Sequence, residues 1–230
     1  MTRLAIENGI VVSMAPTAAP IVGGHVLVDG DRIVAVGSGP APGGGDVERI
    51  DARGGIVLPG LIDTHAHAGH GLTKGLGTTS GAWMTTAGRI YAEATDAAFW
   101  RAEARLSALE RLAGGVTTAC LLMGGGPDVM MTAEPDPIRA HAEGVASIGV
   151  AEVLAIGPGR PTGPRRFVDW SGGGPRAIET SPAAQLAVSA TALAGPWPGL
   201  VRPALSLPVF SAAELADDGE DGAAALSRAV

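Results

Sequence analysis

The sequence predicts an α/β protein: a short β-rich segment, residues 1–57, ahead of about four strand–helix units over residues 58–230. Three observations carry this. Residues 1–57 are short apolar runs broken by turn residues. From residue 60 onward, apolar runs alternate with stretches of helical period. The 230-residue length then sets the count. A closed (β/α)8 TIM-type barrel takes about 250 residues, so about 170 residues, with about four strand–helix units legible in them, fall well short of one. The count suggests half a barrel.

The elements follow in order. "RLAIENGIVVS" carries a hairpin signal at Asn8-Gly9, and "HVLVDGDRIVAVG" another around Asp29-Gly30. "ERIDARGGIVLPG" closes the β-rich segment. Leu61-Ile62 leads a buried strand toward the histidines. Residues 95–113 form a helix whose apolar face is Phe99, Ala102, Leu106, Leu109 and Ala113, with Thr95 as N-cap and Gly114-Gly115 as the stop. "VTTACLLM" (116–123) is a buried strand. A weaker helix spans 137–147, and "VAEVLAIG" (150–157) is the next strand. Ser181-Pro182 cap a helix to about Ala194. "LVRPALSLPV" (200–209) is a strand interrupted by Pro203, and "GAAALSRAV" begins another helix. "SGPAPGGG" (38–45) and "SGGGP" (171–175) read as loops without the setting of a phosphate-binding loop. Strands each followed by a helix imply a parallel sheet with right-handed crossovers.

Composition narrows the function. Hydrophobic residues make up 46% of the chain, enough for a substantial core. The net charge is −7 and no basic stripe occurs, which argues against nucleic-acid binding. The single cysteine, Cys120, excludes an intrachain disulfide and suits a reducing compartment, so a cytoplasmic location is expected. No secretory signal and no apolar run long enough to span a membrane is expected.

The chemistry concentrates in "LPGLIDTHAHAGHGL", residues 58–72. Three of the five histidines fall there: His65, His67 and His70. On a strand, positions two apart face the same way. His65 and His67 can therefore ligate one metal ion from a strand's C-terminal end. Zinc suits nitrogen ligands at about 2.0–2.1 Å, and iron is possible. A metal-free pair of loop histidines is the bland alternative. Asp63 stands two residues ahead and could orient an imidazole.

The segment "GGIVLPGLIDTHAH" resembles the first barrel strand of the amidohydrolase superfamily, and "HGLTKGLG" and "RLSALERLAGGVTTACLLM" are similar to the branch that deaminates nucleobases, triazines and related ring compounds. The resemblance covers residues 1–157 well and 158–230 only in strand–helix rhythm. It implies a metal-dependent barrel flanked by a small β-sandwich, with His65 and His67 as ligands of one divalent metal, zinc ahead of iron. The metal-activated water would attack a small-molecule substrate and hydrolyse a C–N bond. The family's other ligands and its acid/base carboxylate come from the second half of the barrel. The resemblance therefore implies a complementary C-terminal half-barrel, on a second chain or in sequence beyond this one.

Other residues are weighed against blander roles. His70 is either a hydrogen-bonding or acid/base group of the substrate pocket or an ordinary loop histidine. Trp83 either stacks on a ring substrate or anchors a loop. Lys74 follows the first strand, so it is not the bridging carboxylated lysine of binuclear relatives, which belongs on the fourth. Cys120 reads as core, His25 and His141 as surface or packing residues, and Glu152 as a remote candidate for the metal region. Two alternatives to a deaminase remain: a non-catalytic half-barrel acting as an interaction or regulatory subunit, and a hydrolase of cyclic amides.

Overall fold

The computed structural model describes residues 3–78, 81–126, 129–130, 133–157, 165–170 and 172–206. The expected C-terminal helix and the end of the strand at 207–209 lie outside the described residues. Contacts divide the chain into two units, Met1–Gly60 and Leu61–Val230.

The first unit is one five-stranded sheet of β1 (Arg3–Val11), β2 (Ile21–Asp29), β3 (Arg32–Ser38), β4 (Val47–Asp51) and β5 (Ile56–Val57). Its order is β3-β2-β1-β4, with β5 also on β1. The Asp29-Gly30 turn is present: β2 and β3 are antiparallel and Gly30 takes φ 61°. The Asn8-Gly9 hairpin is not. β1 runs through both residues with register shifts on either side of Gly9, and Asn8 adopts φ 57° within the strand. The positive φ that makes Asn-Gly a turn former also suits a bulge. Gly9 is required there, because a Cβ would lie 2.6 Å from the Val57 side chain. β4 and β5 then return parallel to β1. The described residues of this unit form one sheet, and a second layer that would make a sandwich is not among them.

The second unit holds a four-stranded parallel sheet of order β13-β10-β7-β6. Its strands are β6 (Leu61–His67), β7 (Val116–Leu122), β10 (Ala151–Ile156) and β13 (Val201–Leu205). The connections hold α1 (His70–Thr73), a 3-10 turn (Lys74–Thr78), α2 (Trp83–Glu93), α3 (Ala97–Ala113), α4 (Pro135–Ala146) and α5 (Pro182–Ala194). They also hold two antiparallel pairs: β8 (Gly124–Gly126) with β9 (Val129–Met130), and β11 (Arg165–Asp169) with β12 (Arg176–Thr180). Of the loop expected at 171–175, residues 172–175 lie just ahead of β12, and residue 171 lies outside the described residues.

One face of the sheet packs on the helices. Ala119, Leu121, Leu154 and Ile156 are buried there with Trp100, Ala104, Ala108, Ile138 and Val145. The described residues of the other face are half-buried or exposed. They alternate with the buried ones: Cys120 is half-buried and Val153, its partner in register, is exposed. Cys120 is thus not the core residue expected. Leu61 and Ile62, expected to be buried, are exposed on the edge strand β6.

The helix at 97–113 is present, but its phase differs from expectation. Trp100, Glu103, Ala104 and Ala108 are buried, while Ala102, Leu109 and Ala113 are exposed. The true inner face is built of small residues around one Trp, because α3 and α4 approach closely. A Cβ on Gly144 would lie 2.9 Å from the Ala104 Cβ. The N-cap is Asp96, whose carboxylate accepts from the Phe99 N–H at 2.7 Å. Thr95 instead donates to the Tyr91 carbonyl and accepts from the Trp100 indole. Ser181 caps α5 as expected, accepting from the Ala184 N–H.

Candidate functional site

β6 would place Asp63, His65 and His67 on one face if it alternated regularly. It does not. Asp63 pairs with Ala119 and Ala66 with Leu121, so three steps on β6 match two on β7. This bulge re-aims the strand. Asp63, beside buried Ala119, turns toward the helices, where it accepts from Arg111 Nε of α3 at 3.1 Å. His67, level with Leu122, turns onto the other face. Asp63 therefore touches no imidazole. Its other oxygen accepts a long 3.4 Å bond from the His65 backbone N–H and so acts on the backbone at the bulge.

The three histidines do come together. The His65 and His67 ring centroids are 5.2 Å apart and edge-on, and those of His67 and His70 are 5.7 Å apart. His65 is exposed, and the other two are half-buried.

Hydrogen bonds fix two of the tautomers. His67 Nδ1 lies 3.2 Å from the Gly124 carbonyl, which can only accept. The proton is thus on Nδ1, and the Nε2 lone pair is free. His70 is set by a longer chain. The Thr73 hydroxyl donates to the Gly69 carbonyl, so Thr73 Oγ1 receives the Tyr91 hydroxyl at 2.6 Å. Tyr91 has then used its one proton and accepts from His70 Nδ1 at 2.9 Å. His70 also presents Nε2 unprotonated. Burial pushes both imidazoles below their ordinary range. At His67 the Gly124 hydrogen bond opposes this and neighbouring His65 adds to it; at His70 nearby His67 adds and Glu103 opposes. Burial likewise raises the Tyr91 hydroxyl, which stays protonated.

Neutral imidazoles with free Nε2 lone pairs are what a metal needs from histidine, with the second nitrogen held by a carbonyl. His67 has this form, and His65 stands beside it with its ring centroid 5.2 Å away. They are not a complete set: among the described residues no group of three or more His, Cys, Asp or Glu could hold a metal.

Trp83, the first residue of α2, packs its ring 5.5 Å from His70 and against the core. Lys74 is paired with Glu110. His25 is buried in the first unit and donates to the Gly39 carbonyl. His141 is fully buried rather than on a surface, at 2.8 Å from Glu152. Glu152 lies level with Ala119 and faces the helices, away from the face that carries His67, so it does not reach the metal region. Sequence reasoning missed Tyr91, Thr73, Gly124 and Glu103. Tyr91 is the chain's only tyrosine, which was a signal; the others act through backbone geometry or burial.

No family model matches the chain. Over 123 residues it is 36% identical to the 5'-deoxyadenosine deaminase of Methanococcoides burtonii, covering 54% of this chain and 26% of that protein. Over 168 residues it is 33% identical to the 5-methylthioadenosine/S-adenosylhomocysteine deaminase of Symbiobacterium thermophilum, covering 70% and 36%. A variant of atrazine chlorohydrolase from Arthrobacter aurescens, solved with zinc and atraton, superposes with a TM-score of 0.60 at 22% identity, covering 92% of this chain and 49% of that one. The last likeness is one of fold. The chain spans about a quarter to a third of these curated relatives and about half of the solved structure.

Proposed function

Because the chain belongs to the amidohydrolase superfamily and matches the N-terminal half of its members, we propose that it forms the metal-binding half of a hydrolase that removes an amino group from a ring compound. The observation that carries this is the pair His65 and His67 at the end of the first barrel strand, with His67 Nε2 freed by the Gly124 carbonyl. One divalent ion, zinc ahead of iron, would be held by the two imidazoles. When bound it would supply polarisation of a water molecule at neutral pH. His70, with Nε2 unprotonated beside the pair, accepts a proton or a hydrogen bond on the substrate side. Trp83 walls the same corner. The relatives' names direct the substrate search to amino-purine nucleosides and the structural neighbour's to triazines.

The remaining ligands and the acid/base carboxylate belong to a second half-barrel, a complementary chain or a C-terminal continuation. The partly exposed sheet face and the incomplete ligand set support this reading. The test is to assemble the chain with such a half, measure metal by elemental analysis, and screen amino-substituted purines and triazines for ammonia release. About one metal per assembly is expected, with both metal and activity lost in His65→Ala. A metal-free assembly, or full activity in His65→Ala, overturns the reading. Hydrolysis of cyclic amides without ammonia release would point to the sister chemistry, and an inert, metal-binding assembly to a regulatory subunit.

A further inference from the structure

Behind the sheet, on the helix-packed side, lies a buried polar cluster that the proposed chemistry does not use. Glu103 of α3 and His141 of α4 are fully buried, and Glu152 of β10 nearly so. One carboxylate oxygen of Glu103 accepts from the Gly71 N–H at 3.2 Å and from the Ser107 hydroxyl at 2.6 Å. The other faces His141 Nδ1 at 3.8 Å, and on its far side His141 Nε2 lies 2.8 Å from Glu152.

A carboxylate inside a protein is costly unless paired and hydrogen-bonded. Glu103 meets that cost with a backbone N–H from the turn that carries His70. The turn is fitted tightly on two sides. A Cβ on Gly71 would lie 2.5 Å from Ser107 Oγ and 3.1 Å from Glu103 Oε1, and one on Gly69 would lie 2.9 Å from the Tyr91 ring. Tyr91 receives His70 Nδ1 from one side while Glu103 grips the next residue from the other.

We propose that Glu103 is a positioning residue for His70. Its carboxylate, with the buried His141 ring 3.8 Å from its second oxygen and Glu152 on the far side of that ring, fixes the Gly69–Gly71 turn so that His70 presents Nε2 beside the metal-binding pair. The role rests on the reading of the site given above; the anchor itself does not. The groups facing His141 are Glu152, Glu103 and Arg111. Burial favours the neutral imidazole and Arg111 acts the same way, but the two carboxylates together outweigh them and raise its pKa.

Imidazole nitrogen spectra of the ¹⁵N-histidine-labelled chain, in the assembly it forms in solution, test this without metal or substrate. In the wild type, His70 should show one tautomer with the proton on Nδ1. In Glu103→Ala, Gly71 loses its acceptor and the single-tautomer signature of His70 should be lost, while His25, in the first unit, stays unchanged. Glu103→Gln keeps the shape and an accepting oxygen, and serves where the alanine variant fails to fold. A neutral acceptor is weaker, so Gly71 amide exchange should accelerate about tenfold. A folded Glu103→Ala protein with wild-type His70 signals overturns the proposal. So does Glu103→Gln with unchanged Gly71 exchange. Failure of the metal reading would show separately, as unchanged metal content in His65→Ala.

Discussion

At the scale of single residues, the site works by fixing which nitrogen carries the proton. His67 and His70 each commit Nδ1 to an internal acceptor and leave Nε2 bare. The Tyr91 hydroxyl is the middle link for His70, and Tyr91→Phe removes it. Thr73 Oγ1 then loses its donor and His70 Nδ1–H its acceptor, in a buried setting. The expected cost is about 1–3 kcal/mol, read as a lower denaturant midpoint at unchanged slope, together with a mixed His70 tautomer. An unshifted midpoint would show that the relay does not form in solution. The three histidines themselves were legible, because a cluster at the end of an apolar run stands out against five in the whole chain. Tyr91 stood out as the sole tyrosine, but its partner was not legible. It reaches His70 from 21 residues downstream, and the short helix and 3-10 turn between β6 and α2 set that approach in a way no sequence spacing records.

At the scale of elements, two local deviations decide what the site contains. The first is the bulge of β6, without which Asp63 and His67 would share a face. Alternation alone foresaw the His65–His67 pairing but not the turning of Asp63 to Arg111, since an extra residue in a ladder leaves no mark in the sequence. The second is the phase of α3. Reading large apolar residues as the inner face put Leu109 inside, whereas tight contact with α4 selects Ala104 and Ala108 and leaves Leu109 exposed. Leu109→Gln should therefore change stability by no more than about 0.5 kcal/mol. Gly144→Ala, which drives a methyl into Ala104 and the Arg101 carbonyl, should cost about 1–3 kcal/mol. Equal effects in a thermal melt would refute the observed phase. The α3–α4–β10 cluster adds a pH dependence. The pKa of His141 is raised above 6.5 by folding. Its contribution to stability is thus complete below about pH 6.5 and disappears as pH rises through the folded-state value. Unfolding measured across that range should show stability falling with pH, and Glu152→Gln should flatten the fall.

At the scale of the whole molecule, the partly exposed face of the second unit's sheet governs behaviour. Strand–helix rhythm and length were enough to foresee a four-stranded parallel sheet with β6 at one edge and β13 at the other. Half a barrel also leaves the inner face without its opposite strands, as that reading implied. What it could not give was which residues stand exposed, since a buried-type strand reads the same whether or not its neighbour is present. Ile62 is 66% exposed, Leu61 50% and Leu200 56%. A parallel sheet is ordinarily covered on both faces, and unpaired apolar edges recruit other chains. Closing a half-barrel would bury more than the roughly 1,600 Å² of a standard interface, so assembly and stability should be linked. The chain alone is therefore expected to self-associate in sedimentation or light scattering, and to form a discrete complex with a matching half-barrel. Ile62→Asp separates this from general stickiness. It places a charge on the edge strand without touching His65 or the helix-packed core, so it should weaken both self-association and complex formation while leaving the chain folded by circular dichroism. A wild-type chain that stays monomeric with a cooperative melt, or an Ile62→Asp chain that assembles as the wild type does, would show that this face is not where the molecule is completed.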